Sequence, residues 1–298
     1  MDPGASGEIA SSNQQPLDVV QSPAELLLHS PPAANLTPMF SPEMQRAELE
    51  RRLTAHELEI ARRIQQSLLP KTLPSLSGFG LAGFCCSARQ VGGDFFDVLA
   101  LSPDSLLLLV ADVMGKGVPA ALFAATLRTL VRTISEWTRD PSELLARMNR
   151  LMFEELANVD MFITAQAVVV ETRKNEMILA SAGHCPLLLT DGANETKAIS
   201  PKGLPLGISP ETSFPEETIS LDKCHCAMLY TDGLTEIRNA AGCLYGQPRL
   251  ETWLSNNTRP NPTAEQLKER LLAELRAFRP EGPEDDQTFV LLTKQLPG

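Results

Sequence analysis

The sequence predicts an α+β fold, a sandwich of antiparallel strands combined with paired helices. From Phe79 onward, short apolar segments are separated by turns rich in Gly, Pro, Asn and Asp, which is typical of strands. Two consecutive segments, 118–137 and 141–157, instead place apolar residues at helical spacing. Helices that are grouped together among many strands, rather than following each strand in turn, indicate the α+β class.

Composition limits the classes of partner. With 298 residues, the chain is long enough to bury a full hydrophobic core. Its formal net charge of −11 argues against nucleic acid or an anionic membrane as the main partner, and it is compatible with metal cations. The longest apolar run, 106–113, is interrupted by Asp112 and is far shorter than the roughly 20 residues that a membrane-spanning helix requires. Because the N-terminus lacks a basic segment followed by an apolar one, we expect a cytoplasmic protein.

Three segments are predicted along the chain. Residues 1–40 are rich in Pro, Ser, Ala, Asn and Gln without periodicity, which predicts a disordered leader. Residues 41–69 are predicted to form a helical linker, because Ser41 is a favourable N-cap and Pro42 suits the first helical position. Residues 70–298 are expected to form the main folded domain.

The linker helix is predicted to have an apolar face. Its apolar residues recur at helical spacing and are Leu49, Leu53, Ile60, Ile64 and Leu68. This face is predicted either to form a homodimer or to bind a regulatory partner, or else to lie on the following domain. The seven-residue repeat is interrupted at His56, so the spacing does not decide between these alternatives.

The remaining elements are predicted from periodicity and turn residues. A hairpin is expected at 93–113 around a turn at 102–105. A third helix is expected in the main domain at 262–278. Further strands are expected at 162–171, 176–182, 186–190, 216–222, 225–231 and 288–294.

Six aspartates share a position at the end of an apolar strand, beside a turn or small residues. They are Asp94, Asp97, Asp112, Asp232, Asp285 and Asp286. Buried carboxylates are costly without a partner, and few cations lie near them in the sequence. Clustered carboxylates are the ligands that Mg²⁺ and Mn²⁺ select, and four of them would suit two metal ions. The alternative is that they form turns and helix caps, an interpretation that fits Asp104 and Asp191 well.

The hairpin register determines whether Asp94 or Asp97 accompanies Asp112. A two- or four-residue loop places Asp112 on the same face as Asp97. A three-residue loop or a β-bulge places Asp94 on the face of Asp112 instead. Since residues 106–111 are apolar throughout, they predict a strand that is buried on both faces, and periodicity does not decide the register.

Seven segments in this order resemble the metal-dependent protein phosphatases (PPM, type 2C), and most closely their bacterial SpoIIE/RsbU-like branch. They are ARRIQQSLLPKTLP, VGGDFFDV, VADVMGKGVPAALFAA, SAGHCPLLL, GLPLGI, LYTDGLTEIRNAAGCLYGQPRL and DDQTFVLL. The resemblance covers about residues 57–294. It implies a two-sheet antiparallel β-sandwich flanked by helices (αββα), with residues 70–298 as the phosphatase domain. It also implies two Mn²⁺ or Mg²⁺ ions at one edge of the sheets.

The same resemblance implies metal ligands that would act in catalysis through the metals and a metal-activated water. They are Asp94, Asp112, the backbone carbonyl of Val113, Asp232 and Asp285. Asp112 would bridge the two metals, and Asp94 would complete the second site. Asp97 and Asp286 are the remaining candidates, Asp286 as a residue that orients its neighbour.

The implied activity is hydrolysis of phosphoserine or phosphothreonine on a regulatory protein. By resemblance, this substrate is a STAS-type anti-sigma-factor antagonist in a partner-switching pathway. Two divalent ions lower the pKa of a shared water, so no covalent nucleophile is required. The alternative is a non-catalytic scaffold with the phosphatase fold that binds a phosphoprotein. Lost metal ligands would mark such a scaffold, and none is lost here.

The sequence departs from the classical members of the family after the bridging aspartate. Those members have a histidine where this chain has Met114, and Lys116 lies two residues further on. The group that protonates the leaving group is therefore unassigned. His184, in the SAGH segment, is expected to make a structural hydrogen bond rather than to act in catalysis.

Overall fold

The computed structural model describes residues 41–295, so the predicted leader at 1–40 lies outside the described residues. The described residues divide into two units, 41–53 and 54–295. Helix α1 spans Pro42–Leu68, which agrees with the predicted linker helix. Ser41 caps it, because its Oγ accepts a hydrogen bond from the N–H of Met44 at 3.3 Å.

No residue of α1 is buried. The apolar side chains that remain exposed include Leu49, Leu53, Ile60 and Ile64. The role of this face in dimerisation or in binding a regulatory partner stays a prediction.

The described residues contain two antiparallel five-stranded sheets. In spatial order, the first sheet consists of β1 (Phe79–Cys86), β10 (Gln287–Lys294), β9 (Cys226–Tyr230), β6 (Leu187–Thr190) and β7 (Thr196–Ile199). The second sheet consists of β2 (Phe95–Ser102), β3 (Ser105–Val113), β4 (Ile163–Glu171), β5 (Glu176–Ala182) and β8 (Glu216–Ser220). The other helices of this region are α2 (Val118–Ile134), α3 (Pro141–Ala157), α4 (Gln247–Asn257) and α5 (Ala264–Phe278).

Three hydrophobic clusters hold the elements in four layers. Leu107 and Leu145 belong to the cluster between the second sheet and the helices α2 and α3. Leu108 and Val290 belong to the cluster between the two sheets. Leu271 belongs to the cluster between the first sheet and the helices α4 and α5. The αββα arrangement is therefore confirmed.

Most predicted elements form at the predicted places. The six predicted strands outside the hairpin are present, with ends shifted by at most two residues. Helix α3 has the predicted bounds, α2 ends at Ile134, and α5 begins at Ala264 behind a capping box made by Thr263. The sequence pattern does not predict β7 or α4. Helix α4 is largely polar and buries only three residues, Leu250, Trp253 and Leu254.

Strand β3 is buried on both faces, as its apolar run predicts. None of the helices within residues 41–295 is both long enough and apolar enough to cross a membrane.

Candidate metal centre

The hairpin of β2 and β3 contains a register shift near its turn, of the kind that a β-bulge produces. The strands pair Phe95 with Ala111, and continuing this register by one residue sets Asp94 opposite Asp112. The bulge alternative is thus the one that forms. It places Asp94, rather than Asp97, on the face of Asp112.

The two faces of the hairpin have different surroundings. Leu108 on β3 faces the first sheet, whereas Leu109 faces α2 and α3. Because side chains alternate along a strand, Asp112 continues the face of Leu108, and Asp94 lies opposite it between the sheets. Asp97 is one residue out of phase with Asp94 and faces the helices.

Asp97 is held by a cation from α2. Arg132 donates from Nε to Oδ2 at 2.6 Å and from Nη2 to Oδ1 at 3.0 Å. The N–H of Val98 donates to the same Oδ1 at 3.0 Å. The side chain of Asp97 is fully buried in this arrangement and does not line the acidic cavity described below.

Asp94 is held from the opposite sheet. Thr231, which directly follows β9, donates a hydrogen bond from Oγ1 to Oδ2 of Asp94 at 2.7 Å. Asp94 is buried. This hydrogen bond therefore joins the edges of the two sheets at the place where the acids meet.

Three of the predicted acids line one cavity of about 280 Å³. Asp112 lies at the end of β3, Asp232 follows β9, and Asp285 precedes β10, so both sheets contribute. The cavity is also lined by polar or ionisable side chains, namely Lys116, Thr164, His184 and Cys185. A second cavity of about 310 Å³ beside α5 is lined by no acidic residue.

The acids interact electrostatically. Burial, followed by the charges of Asp232 and Asp285, raises the pKa of Asp112 to about 7. Burial, followed by the charge of Asp112, also raises the pKa of Asp94. Burial and then the charge of Glu236 raise the pKa of Asp232. Ionising this set together is costly unless a cation compensates the charge.

Lys116 supplies a single protein cation to the cavity lining. Its Nζ lies 2.7 Å from Oδ2 of Asp285 and 3.3 Å from the carbonyl oxygen of Glu284. One ammonium group against three carboxylates leaves the cavity negative.

Asp286 anchors the loop that leads to Asp94. Its Oδ1 accepts a hydrogen bond from the N–H of Ala88, and its Oδ2 accepts one from the N–H of Gly93, both at 2.8 Å. A Cβ at Gly93 would lie 2.6 Å from the carbonyl oxygen of Val113, so only glycine allows this close approach. The structure thus places Asp286 behind the acid cavity and brings the Val113 backbone to its edge.

His184 makes the structural contact expected from the sequence. It is buried, and its Nδ1 forms a hydrogen bond with Oγ1 of Thr164 at 2.8 Å. Burial lowers the pKa of His184 to about 4, so the imidazole is neutral at physiological pH. Sequence reasoning missed Thr231 and Arg132. Thr231 stands directly before Asp232, but its bond partner is 137 residues away, and no spacing indicates it.

The donor set fits a hard divalent cation by its chemistry. Three carboxylates, the group that Mg²⁺ and Mn²⁺ prefer, line the cavity, and they repel one another without a cation. In the described part of the chain, however, no three acidic, histidine or cysteine side chains already form a group that could hold a metal ion. Asp94 accepts a hydrogen bond from Thr231, and Asp285 forms an ion pair with Lys116. To bind a metal, these two carboxylates would have to give up their present protein partners.

Solved structures show the same fold. The chain is similar to the SiaA-PP2C domain of Pseudomonas aeruginosa, with a TM-score of 0.72 and 24% identity over 83% of this chain and 99% of that one. It is also similar to RsbX in complex with magnesium, with a TM-score of 0.58 and 17% identity over 75% of this chain and 99% of that one. The fold of this chain is therefore that of the type 2C protein phosphatases.

The family follows from the sequence comparison. The model of the family described as Stage II sporulation protein E (SpoIIE) matches residues 102–295, which is more than half of the chain. The chain therefore belongs to the SpoIIE family, and its class is protein-serine/threonine phosphatase. It is 28% identical over 241 residues to the phosphoserine phosphatase RsbU of Bacillus subtilis, covering 80% of this chain and 70% of RsbU.

Proposed function

We propose that this chain hydrolyses phosphoserine or phosphothreonine on a regulatory protein with the help of two Mn²⁺ or Mg²⁺ ions. The observation that carries the proposal is the convergence of Asp112, Asp232 and Asp285 from both sheets on one cavity. Burial and then the charges of Asp232 and Asp285 raise the pKa of Asp112 to about 7, as expected for carboxylates that lie close together without a bound cation.

The metal ligands in this proposal are Asp94, Asp112, the carbonyl of Val113, Asp232 and Asp285. Asp112 is the shared ligand, since it lies on the face of Asp94 and also lines the cavity with Asp232 and Asp285. When bound, the metals supply a water of lowered pKa and neutralise charge on the phosphoryl oxygens. Asp97 is assigned a structural role because Arg132 occupies both of its oxygens.

The protein's own groups orient this centre. Thr231 fixes one oxygen of Asp94, and Asp286 holds the loop before Asp94 through Gly93. Orientation of metal ligands by hydrogen-bonded neighbours is a common requirement for affinity and activity.

The cavity offers no ready covalent nucleophile. Cys185 lines it, but burial and then the charges of Asp232 and Asp112 raise the pKa of its thiol to about 12. The thiol is therefore protonated at neutral pH and a poor nucleophile. This supports direct attack by water on phosphorus.

The substrate and partners extend the proposal. The similarity to RsbU, which is named a phosphoserine phosphatase, supports a phosphorylated protein as the substrate, and a STAS-type antagonist in a partner-switching pathway is the specific candidate. The exposed apolar residues of α1 support homodimerisation or a regulatory partner at 41–69. We also propose that the protein is located in the cytoplasm.

The test is metal-dependent turnover by the wild-type protein and by Asp112→Asn. Phosphoserine peptides, a phosphorylated STAS domain and para-nitrophenyl phosphate are assayed with Mn²⁺, with Mg²⁺ and with EDTA. Asp191→Asn is the matched control, because Asp191 accepts backbone hydrogen bonds in a turn and an asparagine can accept the same bonds. We expect Asp112→Asn to lose activity on every substrate while Asp191→Asn keeps it. Equal inactivity of the wild type and Asp112→Asn on all substrates would favour a non-catalytic scaffold.

A further inference from the structure

Gln65, in the last turn of α1, contacts the loop that leads to Asp94. Its Nε2 donates a hydrogen bond to the carbonyl oxygen of Gly92 at 2.7 Å. Its Oε1 accepts one from the N–H of Gly92 at 3.0 Å. Both backbone groups of Gly92 are thus paired with a single side chain, a geometry that suits a carboxamide because this group always offers a planar donor and acceptor side by side.

The other side of the same loop is fixed by Asp286. A Cβ at Gly92 would lie 2.1 Å from Oδ2 of Asp286, so the backbone there passes very close to this carboxylate. The same Oδ2 accepts the hydrogen bond from Gly93. The two glycines are therefore held between Gln65 and Asp286, immediately before Asp94.

Asp94 needs this support because it precedes the paired part of its strand. The ladder between β2 and β3 begins at Phe95, and beyond it a long hydrogen bond, from the N–H of Val113 to the carbonyl oxygen of Gly93 at 3.4 Å, links the segment before Asp94 to β3. The conformation of the two preceding glycines then determines where the Asp94 carboxylate lies relative to Asp112. Glycine is the residue type with the greatest backbone freedom, so this segment gains the most from an external restraint.

We propose that Gln65 is a positioning residue for metal binding. It holds Gly92 and thereby keeps the Asp94 carboxylate in register with Asp112, so that loss of its two hydrogen bonds weakens the metal site. This role rests on the proposed function in one respect, the assignment of Asp94 as a metal ligand.

The chain offers a matched control at the next residue. Gln66 is exposed, whereas Gln65 is partly buried against the loop. Methionine has nearly the length and helix propensity of glutamine but forms neither hydrogen bond, so Gln65→Met and Gln66→Met differ mainly in the loss of the Gly92 contacts.

The first experiment measures amide hydrogen exchange in the metal-free full chain. The N–H of Gly92 reports on Gln65 directly, and the N–H of Gly93 reports on Asp286. In Gln65→Met we expect exchange at Gly92 to be about tenfold faster or more, as for an amide that loses its acceptor. Gln66→Met should exchange as the wild type does.

The second experiment measures Mn²⁺ binding by calorimetry, together with thermal unfolding. Gln65→Met should bind Mn²⁺ about tenfold more weakly, the lower end of the range for residues that orient a metal ligand. Gln65→Glu retains the acceptor for the Gly92 N–H. Its exchange rate at Gly92 and its Mn²⁺ affinity should therefore fall between those of the wild type and those of Gln65→Met. Gln66→Met should match the wild type.

Two results would overturn the role of Gln65. One is wild-type Mn²⁺ affinity in Gln65→Met, whether or not its Gly92 amide loses protection. The other is a uniform rise in exchange across both sheets, which indicates a loss of general stability only. If the wild type itself binds no Mn²⁺, the proposed function fails and this role fails with it. Normal binding by the wild type with unchanged binding by Gln65→Met refutes this role alone.

Discussion

Arg132 of α2 donates two hydrogen bonds to Asp97 of β2, from Nε to Oδ2 at 2.6 Å and from Nη2 to Oδ1 at 3.0 Å. The carboxylate is fully buried, whereas 41% of the Arg132 side chain is exposed. The ion pair fastens α2 to the second sheet. It pairs both carboxylate oxygens of Asp97 with a protein cation, which supports the proposed structural role of this residue.

Asp97→Asn should therefore lower stability and leave metal binding intact. Removing one partner of a buried ion pair costs a few kcal/mol, and the partial exposure of Arg132 reduces this to about 2 kcal/mol. Asp94→Asn should show the reverse, with Mn²⁺ binding lost and the metal-free protein no less stable, because burial and Asp112 raise the pKa of Asp94. Urea unfolding in EDTA and Mn²⁺ calorimetry measure both effects. Loss of Mn²⁺ binding in Asp97→Asn at unchanged stability would contradict the assignment.

The metal-free protein should lose stability as the pH rises from about 4 to about 7. The pKa of Asp112 is raised from 3.8 to about 7, first by burial and then by Asp232 and Asp285. In this pH window the folded state keeps a proton that the unfolded chain has released, so rising pH favours unfolding. The contribution is fully present below about pH 4 and is lost once the pH passes about 7.

Asp112→Asn should remove this dependence. At pH 8 in EDTA its free energy of unfolding should exceed that of the wild type by about 1–3 kcal/mol, and at pH 5 the difference should be smaller. Urea titrations at both pH values test this, with Asp191→Asn as the control that should follow the wild type. A variant that is less stable than the wild type at pH 8 would argue against repulsion among the acids.

Lys116→Met should strengthen Mn²⁺ binding. The ammonium group lies 2.7 Å from Oδ2 of Asp285 and competes with a metal for this carboxylate. Because about a third of each side chain is exposed, the effect is modest, about threefold in affinity at low salt, and smaller at high salt. Calorimetry at two ionic strengths measures it. Lys174→Met is the control, since Lys174 pairs with Glu176, which does not line the acidic cavity. Weaker Mn²⁺ binding by Lys116→Met would show that Lys116 supports the site instead.

Asp286→Asn should release one end of the loop before Asp94. The carboxylate accepts from Ala88 and Gly93 with separate oxygens, and an amide has only one acceptor oxygen. An unpaired N–H costs about 1–2 kcal/mol of stability, and exchange at Ala88 or Gly93 should accelerate. The N–H of Gly92 should remain protected, because its acceptor belongs to Gln65. Unprotected Gly92 in this variant would mean that the two restraints are not separate.

The sequence predicts the strand and helix pattern well where a hydrophobic period is strong. Helix α3 begins and ends at the predicted residues, because Pro141 and the apolar spacing mark it clearly. Helix α4 is not predicted from the sequence, because it buries only Leu250, Trp253 and Leu254 and its other residues are largely polar. Its stability comes from packing on the first sheet, which no local pattern reveals.

The choice between Asp94 and Asp97 depends on a feature that the sequence does not encode locally. The residues of β3 are apolar on both faces, so either register buries the same kind of side chain. A single extra residue at the bulge between Ala100 and Ser102 decides which aspartate lies between the sheets. The partners Arg132 and Thr231 are distant in sequence and become visible only in the folded chain.

Strand β10 lies between β1 and β9, in the interior of the first sheet, although it is the last strand of the described chain. During synthesis, β1 therefore remains without its neighbour until almost the whole domain has emerged from the ribosome, and pairings between such distant segments form slowly. Asp285 and Asp286 immediately precede β10, so an unfinished chain has neither the acid cavity nor the anchor of its loop. The acid cavity can therefore form only once the chain through β10 is present.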